Sequence, residues 1–355
     1  MNITKEQVLK ALSNVEDPDL KKDLVTLNMI KDLVITDQSI QFTLELTTPA
    51  CPMKDMLKNA CINAVKHFVD KEREIIVDVT ARVTRPTESK NLDNIKNIIL
   101  VSSGKGGVGK STVSSNLAIS LAANGAKVGI LDADIHGPSI PMMFGVINAK
   151  PSAKETADGK TLIIPPEAHG VKILSLGFFA DPNQPVPWRG PMASNAIKQL
   201  FNDAEWGDLD YLIVDLPPGT GDIHITITQS FTIAGAVIVT TPQQVALADT
   251  KKGILMFQMP GINVPILGII ENMAYFTPPD MPENKYYIFG KDGGKQLAQQ
   301  FNVPFLGEIP LQEAITLGGD GGKPVALDSN TQQAEAFSSI AGKVAQQVAI
   351  ENARN

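Results

Sequence analysis

The stretch Gly104-Lys105-Gly106-Gly107-Val108-Gly109-Lys110-Ser111 has the plainest chemical reading in the chain. It fits G-x-x-x-x-G-K-[ST] and lies between the apolar run Ile98-Ile99-Leu100-Val101 and a helical pattern that begins near Thr112. Glycines carry no Cβ, so successive backbone N–H groups can converge on a phosphate. The helix that follows turns its positive end to the same anion. The loop is therefore expected to bind a nucleoside triphosphate, with Lys110 reaching the β/γ-phosphates and Ser111 ligating Mg²⁺. Lys105 has no structural requirement at its place in the loop. It is expected to add positive charge to a transferring phosphoryl group, in its own subunit or from a second one, the plain alternative being a solvated lysine.

Acidic residues end two further apolar runs: Asp132 and Asp134 in Leu131-Asp132-Ala133-Asp134, and Asp215 in Val214-Asp215-Leu216-Pro217-Pro218-Gly219. An acid at a strand tip beside a phosphate loop can hold Mg²⁺ through water or orient an attacking water. Capping the next helix or turn is the plain alternative for each. The segment from Pro217 through Gly219 to Asp222 has the composition of a loop that senses a γ-phosphate. His136, just after Asp134, could face the phosphates, the plain alternative being a surface-loop histidine.

Elements that could position such residues follow from the apolar pattern. From residue 96 onward, strand-like runs at 98–102, 127–131, 171–175, 211–215, 236–240, 266–270 and 303–307 alternate with helical segments. That alternation implies an α/β fold with a mostly parallel sheet and helices on both faces, its ligands at the carboxyl ends of the strands. Ahead of it, Thr4 and Gln7 form a candidate capping box, and 28–35 pairs with 40–47 as a hairpin whose Ile40, Phe42, Leu44 and Leu46 alternate with polar residues. A helical stripe over 53–69 and an alternating run at 75–83 complete a small α+β domain at 1–84. The polar segment 85–95 reads as a linker, and 96–355 as the nucleotide-binding domain.

The chain has two cysteines. Cys61 lies on the apolar stripe and is expected in the core. Cys51, in Thr48-Pro49-Ala50-Cys51-Pro52, sits between a strand and a helix, with Pro52 suited to the first helical position. A place at the helix N-terminus would favour the thiolate, the form that attacks electrophiles or binds soft metals, the alternative being a loop cysteine without chemistry.

Composition bounds the rest. At 355 residues, 43% hydrophobic and 19% charged, the sequence describes a globular protein of about two domains. Its net charge of −7 argues against a nucleic-acid partner. No run approaches the roughly 18 apolar residues of a membrane span. The start Met1-Asn2-Ile3-Thr4-Lys5 lacks signal-peptide order, and two cysteines make no disulfide framework, so a cytoplasmic location is expected.

Lys105 through Ser111 resembles the deviant Walker A motif of MinD/ParA-type ATPases. With Asp132-Ala133-Asp134-Ile135-His136-Gly137-Pro138-Ser139, Trp188-Arg189-Gly190-Pro191-Met192, the Asp215–Asp222 segment, Thr240-Thr241-Pro242-Gln243 and Glu271-Asn272-Met273, the chain resembles the Mrp/ApbC family of iron–sulfur cluster carrier ATPases. Asp17-Pro18-Asp19-Leu20 and the Cys51 segment resemble the small SufT-like domain fused to bacterial members. The resemblance implies a homodimer that couples ATP binding and hydrolysis to passing a cluster to apo-protein clients. Lys105 would cross to the partner's nucleotide. Lys110, Ser111 and Thr112 would bind phosphates and Mg²⁺, Asp134 would orient water, and Asp215 would serve the Mg²⁺ shell. Asn272 would read the adenine, Gly219 would be a switch pivot, and Asp132 and Pro217 would belong to the switch regions. Family members bridge a [4Fe–4S] cluster with a Cys-x-x-Cys from each subunit after the Asn-Met segment. Residues 272–287 contain no cysteine here, so four thiolates at that surface are excluded and any cluster chemistry falls to Cys51, other ligands or partners.

A MinD/ParA-type nucleotide-switched positioning module is the alternative, which needs a basic surface or a basic amphipathic tail. The segment 331–355 has only Lys343 and Arg354 as basic residues, and its apolar positions read as a core-facing or docking helix. A metabolic kinase or ligase would need an acceptor site. Trp188-Arg189-Gly190 is a candidate, a loop anchoring a dimer or switch being the other reading.

Overall fold

The computed structural model describes residues 3–86, 92–135, 137–156, 159–179, 190–281 and 283–354. His136, Trp188 and Arg189 lie outside the described residues. Contacts divide the chain into two compact units, Met1–Thr84 with Ala345–Asn355, and Arg85–Val344.

In the first unit, α1 (Lys5–Leu12) opens with the expected capping box: Gln7 N–H donates to Thr4 Oγ1 at 3.3 Å and Thr4 N–H to Gln7 Oε1 at 2.9 Å. A short pair, β1 (Glu16–Asp17) and β2 (Lys22–Asp23), leads into a three-stranded sheet of β3 (Ile30–Ile35), β4 (Ser39–Leu46) and β5 (Glu74–Ala81). β3 and β4 form the antiparallel hairpin, and α2 (Lys54–Phe68) carries the chain over to β5, parallel to β4. Alternation does what its period requires: Ile40, Phe42, Leu44 and Leu46 are buried against Leu57, Cys61 and Val65 of α2. Burial pushes the Cys61 thiol up to about 12, so it is an inert core group.

The second unit begins with β6 (Ile95–Ser102), α3 (Lys110–Ala123), β7 (Val128–Asp132) and the single turn α4 (Ile140–Met143). A hairpin of β8 (Ser152–Glu155) and β9 (Thr161–Ile164) and the short β10 (Glu167–Ala168) precede β11 (Val171–Ser175). Then come α5 (Gly190–Asn202), β12 (Leu209–Asp215), α6 (Asp222–Ser230), β13 (Gly235–Thr240), α7 (Gln244–Phe257) and β14 (Ile266–Glu271). The last elements are α8 (Gly293–Phe301), β15 (Phe305–Glu308), α9 (Glu313–Asp320) and α10 (Gln332–Arg354).

Eight strands form one sheet in the order β10-β11-β7-β12-β6-β13-β14-β15, parallel except for β10. Continuous apolar runs suit strands covered on both faces, and residues 98–101 of β6 are almost wholly buried. From β6 the chain crosses past β12 to reach β7, while β13 joins β6 on its other edge. Strand order therefore reverses beside β6, the position where ligands settle at the carboxyl ends. The glycine loop, Asp132 and Asp215 all sit at those ends.

The end of α10 differs from the sequence reading, which runs residues 345–355 into the nucleotide-binding unit; contacts group them with the first. Gln346 Nε2 donates to the Asp19 carboxylate, and Asn352 Nδ2 donates to the Thr84 carbonyl at 3.1 Å. Sequence periodicity reports that a helix face is apolar but not which core it covers.

Gly104 lies so close to α7 that a Cβ there would meet the backbone of Asp249 and Thr250. Gly104→Ala is expected to destabilise the protein by about 1–3 kcal/mol through overpacking, read as a lowered midpoint in urea unfolding; an unchanged midpoint would contradict this packing.

Candidate nucleotide-binding site

The loop after β6 ends in a residue that only glycine fills well. Gly109 is the N-cap of α3 with φ +81°, and a Cβ on it would drive into the Asn272 side-chain amide. Asn272, buried at the tip of β14, donates from Nδ2 to the Val108 carbonyl at 2.8 Å. One N–H of the amide expected to read an adenine thus fixes the loop. Ser103 Oγ donates to the Lys105 carbonyl at 3.0 Å, and Gly219 N–H donates to the Ser103 carbonyl at 2.8 Å. The two loops after β6 and β12 are stitched together by that contact.

One carboxylate organises the floor of the site. Asp215, fully buried, accepts from Lys110 Nζ at 2.7 Å and Ser111 Oγ at 2.6 Å on Oδ2, and from Ser114 Oγ at 2.6 Å on Oδ1. Lys110 is 6% exposed and also lies 3.6 Å from Asp134 Oδ2. The cavity above is lined by Gly106, Gly107, Thr112, Asp134, Ser139 and Pro218 among others. Lys105 points the other way in character: it is exposed and makes no ion pair among the described residues. Pro217 and Gly219 lie in the loop after Asp215, Gly219 with φ +93°, a left-handed turn suited to a pivot.

Asp132 follows the plainer of its two readings. Its carboxylate accepts the N–H of Asp134 at 3.1 Å and of Ile140 at 3.3 Å, and the Ser175 hydroxyl at 3.1 Å. It shapes the turn that carries Asp134. Burial, and then the neighbouring Asp215 charge, push its pKa up to about 8 against the pull of Lys110.

Ser114 and His224 were missed in the sequence. Ser114 carried a signal, since four residues past Lys110 places it on the same helix face. His224, fully buried in α6, carried none beyond its nearness to the Pro217–Gly221 loop.

Cys51 requires a correction. α2 starts at Lys54 with Met53 as N-cap, so Pro52 is not its first residue and a turn separates Cys51 from the helix. Burial raises the Cys51 thiol pKa, and the charges of Asp19 and Asp17 act in the same direction. Desolvation outweighs the backbone N–H nearby, the reverse of the thiolate-favouring environment expected of a helix end. The cysteine-free segment after Asn272 is held by Phe276 pairing with Tyr286 and by Lys285 Nζ, 3.9 Å from the Tyr275 ring centroid.

Residues 94–345 match the family described as NUBPL iron-transfer P-loop NTPase, and residues 5–79 match the family described as iron-sulfur cluster assembly protein. The chain is 47% identical over 352 residues to a Synechocystis sp. protein named iron-sulfur cluster carrier protein, covering 98% of this chain and 99% of that one. It is 43% identical over 353 residues to the chloroplastic Fe-S cluster assembly factor HCF101 of Arabidopsis thaliana, covering 98% of this chain and 64% of the plant protein. Among solved structures it is similar to a nucleotide-binding protein from Archaeoglobus fulgidus in complex with ADP. That match has a TM-score of 0.57 and 38% identity over 66% of this chain and 89% of the other.

Asp132 generates a pH prediction. Unfolded, its carboxyl titrates near 3.8; folded, it keeps its proton to about 8. The folded state therefore binds more protons between those values, and this group's contribution to stability falls as pH rises through that window. Asp132→Asn should flatten the decline in melting temperature between pH 5 and 8, and an unchanged slope would contradict the assignment.

Proposed function

The chain belongs to the NUBPL-type iron-transfer P-loop NTPases, and on that premise we propose that it is a Mg²⁺-dependent ATPase. We further propose that it carries or assembles iron–sulfur clusters for apo-protein clients and works as a dimer. The observation that carries the reading is the convergence of Lys110, Ser111 and Ser114 on Asp215 beneath the glycine loop. Those donors and that carboxylate are the groups a triphosphate and a divalent cation require.

The residues fit both. Ser111 and Asp215 supply the hard oxygen ligands Mg²⁺ prefers, and bound there the ion would neutralise charge on the phosphates. Lys110 exchanges Asp215 for the β/γ-phosphates, and Thr112 joins the loop N–H groups around them. Asp134, held beside Lys110 by the Asp132 turn, orients the attacking water. Lys105, exposed at the rim, reaches the nucleotide of a second subunit and stabilises charge as the phosphoryl group transfers. Gly219 and Pro217 pass the nucleotide state to the switch segment.

A resident four-thiolate cluster does not fit this chain. Cys61 belongs to the core, and no group of three or more His, Cys, Asp or Glu among the described residues is placed to hold a metal. The cluster is cargo, and Cys51, half-buried, is the one thiol each chain can offer it. Clients or small thiols supply the remaining ligands. The positioning-module alternative gains no support from α10, whose Phe337, Ile340, Ala341 and Val344 are buried.

Lys110→Ala is expected to abolish ATP turnover, and Lys105→Ala to lower kcat by about 10²-fold or more at similar nucleotide affinity, both read in a phosphate-release assay. Turnover in Lys110→Ala at the wild-type rate would refute the ATPase reading. Anaerobic loading with iron and sulfide, followed by metal analysis, should find cluster on the wild type and less on Cys51→Ser, with ATP turnover equal in both. Wild-type protein that takes up no cluster would count against the carrier reading.

A further inference from the structure

Helix α6 carries a buried polar side chain that the mechanism above does not use. His224 sits in its first turn, just past the Gly219–Gly221 segment, with no exposed surface. Neither of its ring nitrogens makes a hydrogen bond of good geometry, and the polar contact the ring has is a weak one to the Gly221 backbone. A neutral imidazole presents one donor and one acceptor, and buried groups of this kind are nearly always paired. Among the described residues the hydroxyls of Ser194 and Thr241 are also unpartnered, but neither lies next to the Gly219–Gly221 segment in sequence as His224 does.

Charging the ring offers no relief. Burial pushes its pKa down to about 4, and the Lys110 charge acts in the same direction, against a weaker hydrogen bond to the Gly221 backbone. The ring is neutral at physiological pH, so better partners must come from a buried water or from a rearrangement of the chain. Its surroundings point to the rearrangement. It feels the Lys110 ammonium, and the Phe257 ring of α7 lies 6.4 Å away, centroid to centroid. The segment leading into α6 is tied to the root of the phosphate loop by Gly219 N–H and the Ser103 carbonyl. Any adjustment of that loop therefore reaches the turn that holds His224.

We propose that His224 is a positioning residue of the nucleotide response, whose ring completes its hydrogen bonds only in the nucleotide-loaded arrangement of the Gly219–Gly221 turn. A group poorly satisfied in one arrangement and paired in the other biases α6 toward the second, a differential contact of the kind a two-state switch needs. The inference rests on the ATPase reading and adds a residue that binding of phosphate, cation or water does not call for. If His224 were only core filler, an apolar ring of similar size would be neutral or stabilising and would change nothing else.

The test uses the full-length protein as wild type, His224→Phe and His224→Gln, the last keeping a donor and an acceptor. Melting temperature is measured with and without Mg²⁺ and a non-hydrolysable ATP analogue, and kcat and KM are measured with MgATP. His224→Phe should melt at or above the wild type without nucleotide, yet gain about half or less of the wild-type nucleotide-induced shift. Its kcat should fall about tenfold with KM within about twofold, and His224→Gln should recover part of both losses. A wild-type nucleotide shift and kcat in His224→Phe would overturn the proposal. So would equal losses in both variants, because a hydrogen-bonding side chain would then restore nothing. If His224→Phe melts lower without nucleotide, His224→Gln decides: a shift nearer the wild type than that of His224→Phe supports the proposal, and no recovery overturns it. Absence of ATP turnover in the wild type would remove the ATPase reading itself, while the analogue-induced shifts would still judge His224.

Discussion

Asp215 is the anion on which the site depends. It is buried at the tip of β12, where parallel pairing sets it opposite Val101 of β6, and both of its oxygens are taken by side chains of α3. Lys110, Ser111 and Ser114 share one helix face, so a single helix delivers all three donors. A buried ion pair is a weak source of net stability, because desolvation consumes much of the attraction. Its value here lies in exchange. Phosphate can replace Asp215 as the partner of Lys110, and a divalent cation can replace Lys110 as the partner of Asp215, without leaving either charge buried alone.

The surrounding fold makes that exchange local. Asn272 pins Val108, Gly109 leaves room for Asn272, and Gly104 packs against the backbone of α7, so the loop is braced on both sides. Asp132 braces the turn bearing Asp134 in the same way, through two N–H groups and Ser175. The segment after Asp215, from Pro217 to α6, is tied to the phosphate loop by Gly219 N–H on the Ser103 carbonyl; Gly219 is left-handed there and His224 is poorly satisfied.

Much of this was legible in the sequence because it is written in short-range patterns. Apolar runs located the central strands, alternation located β4 and β5, and the glycine spacing located the loop and its lysine. The β8–β9 hairpin escaped because Ser152–Glu155 is exposed throughout and carries no alternation. Other features depend on tertiary neighbours that no local pattern encodes. Asn272 braces Val108 with one amide N–H, Cys51 is desolvated rather than activated by a helix end, and the last turns of α10 bond to Asp19 and Thr84. His224 is of the same kind, since its significance is a lack of well-formed partners that only three dimensions reveal.

The central claim is that Asp215 and the nucleotide compete for Lys110 while Asp215 recruits the cation. Calorimetric titration of ATP into the wild type and Asp215→Asn, each with and without Mg²⁺, tests it directly. The account predicts that Asp215→Asn binds Mg²⁺-free ATP at least as tightly as the wild type, because Lys110 is released from its strongest competitor, and that the gain in affinity from Mg²⁺ is lost. An undiminished Mg²⁺ gain in Asp215→Asn, with weaker Mg²⁺-free binding, would contradict it.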